Sequence, residues 1–278
     1  MLPFKRRPKR EGHGLLWLVD EDASQRAMFA ESFQTAVRTM PSVPRAVIYK
    51  GPHPKVDARC LRLRSTQAAH AAKFDAWYQS PFERTLFLDN DTYVQASLEP
   101  YLQLKAEVCA LPYPNFFDRD RLRCPWGDEV PARWQNVNSG VVLYTDSFLP
   151  KYRAVWARYG AHALSLPGKD QCLFSLALAI GDVHWQPDVR LQISTTDFAV
   201  EFIRTLVGAP EVPKLLDVPL ALLQSAFVFH TTADKERFRR AYTREAPVLT
   251  FAPPRPWPIS IEEAREKALS LQDPTPST

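Results

Sequence analysis

Two carboxylates, Asp89 and Asp91, stand one residue apart at the point where an apolar segment ends. The segment 85–88 is short, apolar and followed at once by charges, which predicts a buried strand reaching the edge of its sheet. In open α/β sheets, ligands bind at the carboxyl ends of the strands. Two carboxylates at such an edge suit a hard divalent cation and, through it, the phosphates of a ligand.

The spacing of these aspartates carries little information by itself. Asp20 and Asp22, and also Asp118 and Asp120, are separated in the same way. The pair at 89 and 91 differs from the other two because it follows an apolar segment that is predicted to be buried on both faces.

A histidine, His230, follows a second apolar segment, residues 226–229, and is a third candidate ligand. Two carboxylates and one imidazole would fill half of an octahedral shell and leave positions for diphosphate oxygens or water. Mn²⁺ accepts this mixed oxygen and nitrogen set better than Mg²⁺, which favours oxygen alone. Taken alone, His230 would be interpreted as a hydrogen-bonded histidine at the edge of the core.

Three small polar residues, Asn138, Ser139 and Gly140, stand directly before the apolar segment 141–144. Asn, Ser and Gly all favour turns, so a turn at the start of a strand is sufficient to explain them. The functional alternative is a glycine that lets the backbone approach a ligand, with the asparagine amide bonding to hydroxyl groups.

Two predicted helices carry polar residues that are open to two interpretations. Asp170 and Gln171 begin the helix over 171–180, where Asp170 is the helix N-cap, part of a polar pair displayed into a site, or both. Lys73 lies in an alanine-rich helix over 66–79. It is either a solvated surface lysine or a cation that offsets negative charge on a leaving group beside a metal–diphosphate site.

Strand-like and helix-like segments alternate along the chain, which indicates a layered α/β fold with a largely parallel sheet. Residues 112–138 lack clear periodicity and are predicted to form a long loop. The predicted strands cover 15–19, 46–49, 60–63, 85–88, 108–111, 141–144 and 226–229, and the predicted helices cover 23–40, 66–79, 149–159, 171–180 and 261–271.

The composition permits a sizeable core, since 45% of the 278 residues are hydrophobic. The net charge of +4 gives no reason to expect a nucleic acid partner. Basic residues crowd positions 5–10 and form either a solvated tail or a foothold on an anionic surface. Because no apolar run approaches the ~20 residues that span a bilayer, we expect a cytosolic location. The four cysteines lack metal-site spacing and are expected to be small hydrophobic fillers.

Taken in order, these motifs resemble those of the GT-A glycosyltransferases, and more narrowly family 8, the glycogenin-like and bacterial lipopolysaccharide galactosyl- and glucosyltransferases. The resemblance spans roughly residues 15–240 and rests on Lys73, LFLDNDTYV, NSGVVLY, Asp170-Gln171 and the late strand ending in His230. It implies a Rossmann-like nucleotide-diphospho-sugar transferase fold with a mostly parallel central sheet flanked by helices. Together with the basic start and the Pro-rich end of the sequence, it predicts a basic flexible tail over 1–13, a single GT-A domain over 14–250 and a Pro-rich extension over 251–278.

The resemblance also implies an activity: transfer of a hexose from a nucleotide-diphospho-sugar, UDP-linked, to a saccharide, lipid-linked or protein acceptor, with retention of configuration. It makes Asp89, Asp91 and His230 the ligands of Mn²⁺ or Mg²⁺. It places Asp170 and Gln171 beside the reacting carbon of the sugar, as catalytic residues. The substrate-binding residues that it implies are Lys73, Asn90, Asn138, Ser139, Gly140, Lys235 and Asp20.

The chain departs from the family pattern at three places. Cys172 replaces the final aspartate of the family's D-Q-D element. The family's late His-Gly…Lys-Pro-Trp motif is reduced to His230 and Lys235, which puts the pyrophosphate contact of Lys235 in question. The first strand lacks the downstream tyrosine that stacks on the base, and this leaves Asp20 or Asp22 to bond to uracil.

Two other functions agree with parts of the pattern. Phosphatases of the haloacid-dehalogenase type also place D-x-D after an apolar strand, with the first aspartate as nucleophile, but near the chain start and with Thr or Val where Tyr93 stands. A non-catalytic GT-A module that binds a nucleotide sugar or a partner would explain Cys172 and the altered late motif.

The segment 112–134 contains four aromatic residues, Phe116, Phe117, Trp126 and Trp134. In an active enzyme they are either a candidate acceptor surface or loop packing.

Overall fold

The computed structural model describes residues 10, 12–63, 69–166, 168–188, 191–194 and 228–230. Ten strands and five α-helices lie within this part of the chain. The strands are β1 His13–Val19, β2 Arg45–Tyr49, β3 Arg59–Arg62, β4 Arg84–Leu88, β5 Thr92–Val94, β6 Val108–Asp118, β7 Arg133–Thr145, β8 Trp185–Pro187, β9 Gln192–Ser194 and β10 Val228–His230, and the helices are α1 Ala23–Thr39, α2 Ala69–Gln79, α3 Glu99–Leu102, α4 Phe148–Ala163 and α5 Lys169–Ile180.

Seven strands form the central sheet, in the order β3-β2-β1-β4-β7-β6-β8. The strands β3, β2, β1 and β4 are mutually parallel, whereas β7 runs antiparallel to both β4 and β6, and β8 is parallel to β6. Most of the pairings are parallel, so the predicted α/β fold with a largely parallel sheet is confirmed. Strand β4 separates the parallel half of the sheet from the half that contains β7.

Helices cover both faces of the sheet, which explains why β4 reads as a continuous apolar run. Leu86 packs with Phe29 and Phe33 of α1 on one face, and Phe87 packs with Trp77 of α2 on the other. Neighbouring residues of a strand point to opposite faces, so a strand buried on both sides must be apolar at every position. The sheet therefore presents polar groups at its strand ends, where the chain leaves the core.

The long loop predicted over 112–138 is wrong. Strand β6 continues to Asp118 and pairs with β7, which begins at Arg133, so the connection that is not strand covers residues 119–132. The ladder is irregular, with register shifts between Ala110 and Pro112 and between Pro112 and Phe116. Prolines at 112 and 114 hid the strand, because proline is tolerated in a sheet only at edges and bulges.

The aromatic residues of this ribbon belong mainly to the core. Phe117, Trp126 and Trp134 have 9%, 8% and 2% of their surface exposed, and all three join the cluster on the α4–α5 face. The ring of Phe116 lies against the Arg133 guanidinium, 5.1 Å from its carbon. Packing, rather than a free stacking surface, therefore explains the three buried rings.

A small second sheet, in the order β5-β10-β9, holds the late histidine. Strand β10 pairs antiparallel with β5, and His230 lies opposite Thr92. Because β5 begins one residue after Asp91, this pairing fixes His230 beside the two aspartates although it is far away in the sequence.

Strand β1 begins at His13, and Arg10 before it is already buried. Its guanidinium forms an ion pair with Asp146 and donates to the carbonyl oxygens of Trp77 and Tyr78 at the end of α2. These contacts lie at the amino end of β4, opposite to Asp89. None of the helices in the described ranges has the length and apolarity needed to cross a bilayer.

Candidate metal centre

The turn that carries the aspartates is held from behind by a chain of buried hydrogen bonds. Trp17 Nε1 donates to Ser32 Oγ at 2.9 Å, Ser32 and Thr92 hydroxyls are 2.9 Å apart, and Thr92 Oγ1 donates to the Asp89 carbonyl at 2.7 Å. Because the Thr92 hydroxyl donates its only hydrogen to the Asp89 carbonyl oxygen, the Ser32 hydroxyl must donate to Thr92 Oγ1. This chain links α1 and β1 to the end of β4 and fixes the backbone of the turn.

The three candidate ligands converge at the carboxyl end of β4. Asp89, Asp91 and His230 each offer one ligand atom within 4.8 Å of the others. His230 Nε2 lies 3.2 Å from Asp91 Oδ1 and 3.9 Å from Asp89 Oδ2. Two carboxylate oxygens and one imidazole nitrogen match the mixed donor set of a Mn²⁺ site, and the residues present therefore fit such an ion.

Gly140 is the residue whose lack of a side chain permits this convergence. A Cβ atom built at Gly140 would lie 2.1 Å from Cε1 of His230 and 2.9 Å from Oδ2 of Asp89. The same backbone ties the site together, since the Asp89 N–H donates to the Gly140 carbonyl at 2.8 Å. Asn138, Ser139 and Gly140 lie within β7, so the predicted turn at the start of a strand is wrong, and the close approach of His230 and Asp89 explains the glycine in N-S-G.

Lys73 is a paired and mostly buried lysine rather than a solvated one, with 14% of its side chain exposed. Its Nζ lies 3.0 Å from Asp89 Oδ1, 3.1 Å from Asp89 Oδ2 and 3.4 Å from Asp170 Oδ2. Burial alone would lower the pKa of Lys73, but the charges of Asp89 and Asp170 outweigh burial and raise it. The ammonium group therefore stays charged and links α2, β4 and α5 at one point.

Burial is also the largest influence on Asp89. It raises the pKa of this carboxyl and is joined by the charge of Asp91, while Lys73 and His230 act in the opposite direction; the net pKa is raised. A pair of close carboxylates shielded from water is costly to ionise without a cation.

Helix α5 begins at Lys169, and its N-cap is Gly168 with a left-handed φ of 86°. The interpretation of Asp170 as the N-cap is therefore wrong, and Asp170 lies in the first turn with 8% of its surface exposed. Its Oδ2 accepts a hydrogen bond of 3.1 Å from Ser139 Oγ. The polar-pair alternative agrees with this position, because Asp170 faces Lys73 and Ser139.

Gln171 is oriented by a residue that the sequence analysis did not single out. Its Nε2 donates to Asn136 Oδ1 at 2.7 Å. Asn136 precedes Asn138 by two residues on β7, so the two asparagines share one face of the strand. The Asn138 amide donates to the Tyr113 hydroxyl and accepts from the Gly140 N–H at 2.6 Å.

The remaining predicted substrate-binding residues lie at the same edge or outside the described ranges. Asn90 is buried and its Nδ2 donates to Gln25 Oε1 at 3.3 Å, while its Oδ1 has no hydrogen-bond partner among the residues that the structure describes. Asp20 follows β1, the parallel neighbour of β4, and its Oδ1 accepts from the Glu21 N–H at 2.7 Å. Lys235 lies outside the part of the chain that the structure describes.

Cys172 belongs to the hydrophobic core. Its side chain is fully buried in the core between α5 and β7, and burial raises the pKa of the thiol to about 12. A neutral thiol there cannot reproduce the charge of an aspartate. All four cysteines are free, and Cys109 is also buried.

Three residues that contact the site were missed: Thr92, Asn136 and Gln192. Gln192 is fully buried and lies 3.0 Å from His230 Nδ1 through its Oε1. Asn136 stood within two residues of a recognised motif and could have been found by strand alternation. Nothing local marked Gln192, because its contact depends on the pairing of two strands far apart in the chain.

Comparison with solved structures gives many matches, although no family model matches and no curated protein matches by sequence. The glycosyltransferase GlyE of Streptococcus pneumoniae TIGR4 has a TM-score of 0.55 and 14% identity over 97% of this chain and 66% of GlyE. The galactosyltransferase LgtC, solved with donor and acceptor sugar analogues, has a TM-score of 0.53 and 16% identity over 91% of this chain and 99% of LgtC. The bifunctional glycosyltransferase WbbM has a TM-score of 0.52 and 12% identity over 80% of this chain and 46% of WbbM.

These matches define the class of fold: the chain has the nucleotide-sugar glycosyltransferase fold, GT-A, and resembles bacterial transferases such as LgtC. The fold predicted from the order of the motifs is thereby confirmed. The chain spans about two thirds of GlyE and nearly all of LgtC.

Proposed function

We propose that this protein is a metal-dependent hexosyltransferase that uses a nucleotide-diphospho-sugar, UDP-linked, and retains the configuration at the transferred carbon. One observation carries the proposal: Asp89, Asp91 and His230 converge beside Lys73 at the carboxyl end of β4. In an open α/β sheet that edge is where ligands bind, and the fold is shared with glycosyltransferases.

The bond to be broken joins the anomeric carbon of a sugar to a diphosphate, and negative charge builds on the departing phosphate. A divalent ion held by Asp89, Asp91 and His230 would supply Lewis-acid stabilisation of that charge. Lys73 adds a fixed positive charge at the same point, because its ammonium is held by two carboxylates and needs no reorganisation. Lys235 is proposed as a further phosphate contact.

The sugar is proposed to lie over the start of α5 and the polar segment of β7. Asp170 is fixed by Ser139 and Lys73, so its carboxylate can orient sugar hydroxyls without moving. The Nε2 group of Gln171 donates a hydrogen bond to Asn136 Oδ1. With the amide held in this way, the side-chain carbonyl oxygen of Gln171 is proposed to face the positive charge that develops at the reacting carbon. Retention needs no strong general base here, since the departing phosphate can take the acceptor's proton.

The nucleoside is proposed to contact the β1 end of the same edge. Asp20 and Asn90 supply carboxylate and amide groups there, and Asn90 Oδ1 is a buried acceptor without a partner in the described residues. The acceptor is proposed to be a saccharide, a lipid-linked glycan or a protein. A cytoplasmic location at the inner face of the membrane is proposed from the basic residues at positions 5–9, since the Arg10 side chain is buried.

Thermal unfolding with UDP, GDP and other nucleotides, each with and without Mn²⁺, tests the proposal. A ligand that binds only the native state raises the melting temperature by mass action. We expect a rise that needs both Mn²⁺ and UDP. A chain that shows no rise with any pair has no nucleotide site of the proposed kind.

Asp91→Ala tests the metal site in the same assay, and Asp120→Ala is its matched control because it belongs to a D-x-D pair of identical spacing. The side chain of Asp120 is 84% exposed, and its carboxylate pairs with Arg119, which is not part of the candidate metal centre. Asp91→Ala is expected to abolish transfer and the Mn²⁺-dependent rise while the protein stays folded. Wild-type activity in Asp91→Ala contradicts the assignment.

A non-catalytic module that binds a nucleotide sugar is the second candidate, and the buried neutral thiol of Cys172 favours it. Metal-dependent hydrolysis of the donor separates the two functions, because transferases often release sugar to water. A protein that gives the Mn²⁺- and UDP-dependent rise but never cleaves UDP-glucose or UDP-galactose is the module.

A further inference from the structure

The ring of His230 contacts a buried amide on the side away from the aspartates. His230 Nδ1 lies 3.0 Å from Gln192 Oε1, and neither residue is exposed beyond 4% of its surface. A buried polar group that contacts a candidate metal ligand is either a structural link or a device that fixes the ligand's orientation.

The pairing of β9 with β10 places this amide on the correct face. Gln192 pairs with Val228, two residues before His230. Residues two apart on a strand point to the same face, so Gln192 and His230 are diagonal neighbours on one side of the small sheet. The contact therefore follows from strand register, which a side-chain rotation alone does not change.

The other end of the amide determines the direction of the hydrogen bond. Gln192 Nε2 donates to the Val141 carbonyl oxygen at 3.3 Å, and a carbonyl oxygen can only accept. Rotating the amide by 180° would place Gln192 Oε1 against the Val141 carbonyl oxygen, and both of these atoms can only accept hydrogen bonds. Oε1 therefore faces His230 as an acceptor, and Nδ1 of His230 must carry the hydrogen that it accepts.

With the hydrogen on Nδ1, the lone pair of a neutral imidazole lies on Nε2. That nitrogen faces Asp91 Oδ1 at 3.2 Å and Asp89 Oδ2 at 3.9 Å. Three electron-pair donors then point into one space, which is the arrangement a divalent cation needs. The opposite tautomer would turn an N–H toward that space and block coordination.

We propose that Gln192 is a positioning residue for the metal centre: it holds the ring of His230 in the tautomer and orientation that present Nε2 to a divalent cation. The inference rests on the proposed function, because it requires His230 to be a ligand. It assigns Gln192 no contact with the ion or with the substrate.

A double-mutant cycle on Mn²⁺ affinity tests this role. The affinity of the full chain is measured by isothermal titration calorimetry and by the electron paramagnetic resonance signal of free Mn²⁺, for wild type, Gln192→Met, His230→Ala and the double variant. Met keeps the length of Gln without its acceptor. Gln192→Met is expected to weaken Mn²⁺ binding by about ten- to a hundredfold, the usual cost of losing such a partner. In the His230→Ala background it is expected to change the affinity by less than about twofold, since the two residues act as one unit.

Ser175→Ala is the matched control. Ser175 is buried and bonds to the backbone of Val137, also near β7, but it does not contact His230. It is expected to lower the melting temperature without changing Mn²⁺ affinity.

The possible results are distinct. Equal losses of affinity on adding Gln192→Met to wild type and to His230→Ala would mean that Gln192 only supports the sheet, and the inference would be overturned. Unchanged affinity in Gln192→Met, with weakened binding in His230→Ala, also overturns it while leaving the proposed metal site intact. If wild type binds no Mn²⁺, or if His230→Ala binds it as wild type does, the ligand assignment fails together with the inference.

Discussion

Lys73 balances two carboxylates at once, and both are largely shielded from water. Its ammonium contacts Asp89 and Asp170, whose side chains are 27% and 11% exposed. Charges in such a place are tolerated only when they are paired. A cation that joins Asp89 therefore shares that carboxylate with Lys73, and substitutions at these residues should separate metal binding from the later chemistry.

Lys73→Met is expected to reduce sugar transfer by about a hundred- to a thousandfold, the cost of losing one preorganised charge at a leaving group. The same change is expected to leave Mn²⁺ affinity equal or slightly higher, because Asp89 loses a competing cation. Steady-state transfer and calorimetric Mn²⁺ titration give the two numbers. Lys151→Met removes a lysine paired with Glu107 at 2.8 Å and is the control; similar losses in both variants would contradict a specific role.

Gly140→Ala is expected to weaken Mn²⁺ binding by about tenfold or more, because the new methyl group overlaps the ring of His230 and displaces a ligand. Calorimetric titration measures this loss. Gly160→Ala is the control, since its methyl group would meet Trp156 at 3.3 Å and lies in helix α4. An alanine at 140 that binds Mn²⁺ as tightly as wild type would show that His230 is not a ligand in this position.

At the scale of elements, the candidate site lies where the central sheet changes from parallel to antiparallel strand pairing. The carboxyl end of β4 lies beside β1, which is parallel to it, and beside the middle of β7, which is antiparallel. Because Leu88 pairs with Val141, the N-S-G segment reaches the edge where Asp89 begins. Two motifs about fifty residues apart in the sequence therefore meet through one ladder.

The predictable parts of the fold and site are those with local causes. The end of β4 at Leu88, directly before Asp89, was predictable because burial on both faces requires an uninterrupted apolar run. The β6–β7 ribbon was not, because Pro112 and Pro114 interrupt the pattern that marks a strand. Taken alone, Lys73 was better interpreted as a surface lysine, because its ion pairs depend on the packing of α2 against the end of β4 and against α5. The partner of His230 depends on the register of β9 with β10, which no local pattern encodes.

Glu107, directly before β6, allows the contribution of one partly buried carboxylate to stability to be tested by changing the pH. Glu107 accepts hydrogen bonds from Lys151 Nζ and from the His184 N–H, joining β6, α4 and the approach to β8. Burial raises the pKa of Glu107, but these hydrogen bonds outweigh it, and the pKa lies below its ordinary value of 4.5. A carboxyl with a depressed pKa stabilises the fold above that ordinary value, and the contribution is lost as the pH falls through the folded-state pKa.

Glu107→Gln is therefore expected to unfold at a lower temperature than wild type near neutral pH, where the carboxylate is fully ionised. The difference is expected to shrink as the pH is lowered from about 7 to about 3. Thermal unfolding followed by circular dichroism at several pH values measures it. A difference that is independent of pH would show that the ionisation of Glu107 does not contribute to stability.

At the scale of the whole molecule, the two ends of β4 have different tasks. One end carries the aspartates, and the other is closed by Arg10, which joins Asp146 to the last turn of α2. The Arg10 side chain is 2% exposed, so the residue acts as part of the core although it belongs to the basic segment of the sequence. The buried ion pair and the candidate metal centre therefore lie at opposite ends of the same strand.

Arg10→Met is expected to destabilise the protein by about 1–3 kcal/mol, because the carbonyl oxygens of Trp77 and Tyr78 lose the hydrogen bonds from Arg10 and the Asp146 carboxylate loses its cation. Denaturant unfolding of Arg10→Met, Asp146→Asn and the double variant measures the coupling. Mn²⁺ affinity is expected to stay at the wild-type value, since the ion pair lies at the far end of β4. Additive effects of the two single changes would show that the ion pair contributes nothing of its own.

Cys172 makes the start of α5 observable by chemical labelling. Only a thiolate reacts readily with iodoacetamide, and a fully buried thiol with a pKa of about 12 reacts only when the surrounding helix opens. The rate of alkylation, read from peptide masses, therefore reports how often α5 opens one residue away from Gln171. A nucleotide sugar that contacts this turn is expected to slow the labelling of Cys172, with the half-buried Cys60 as the internal reference in the same digest.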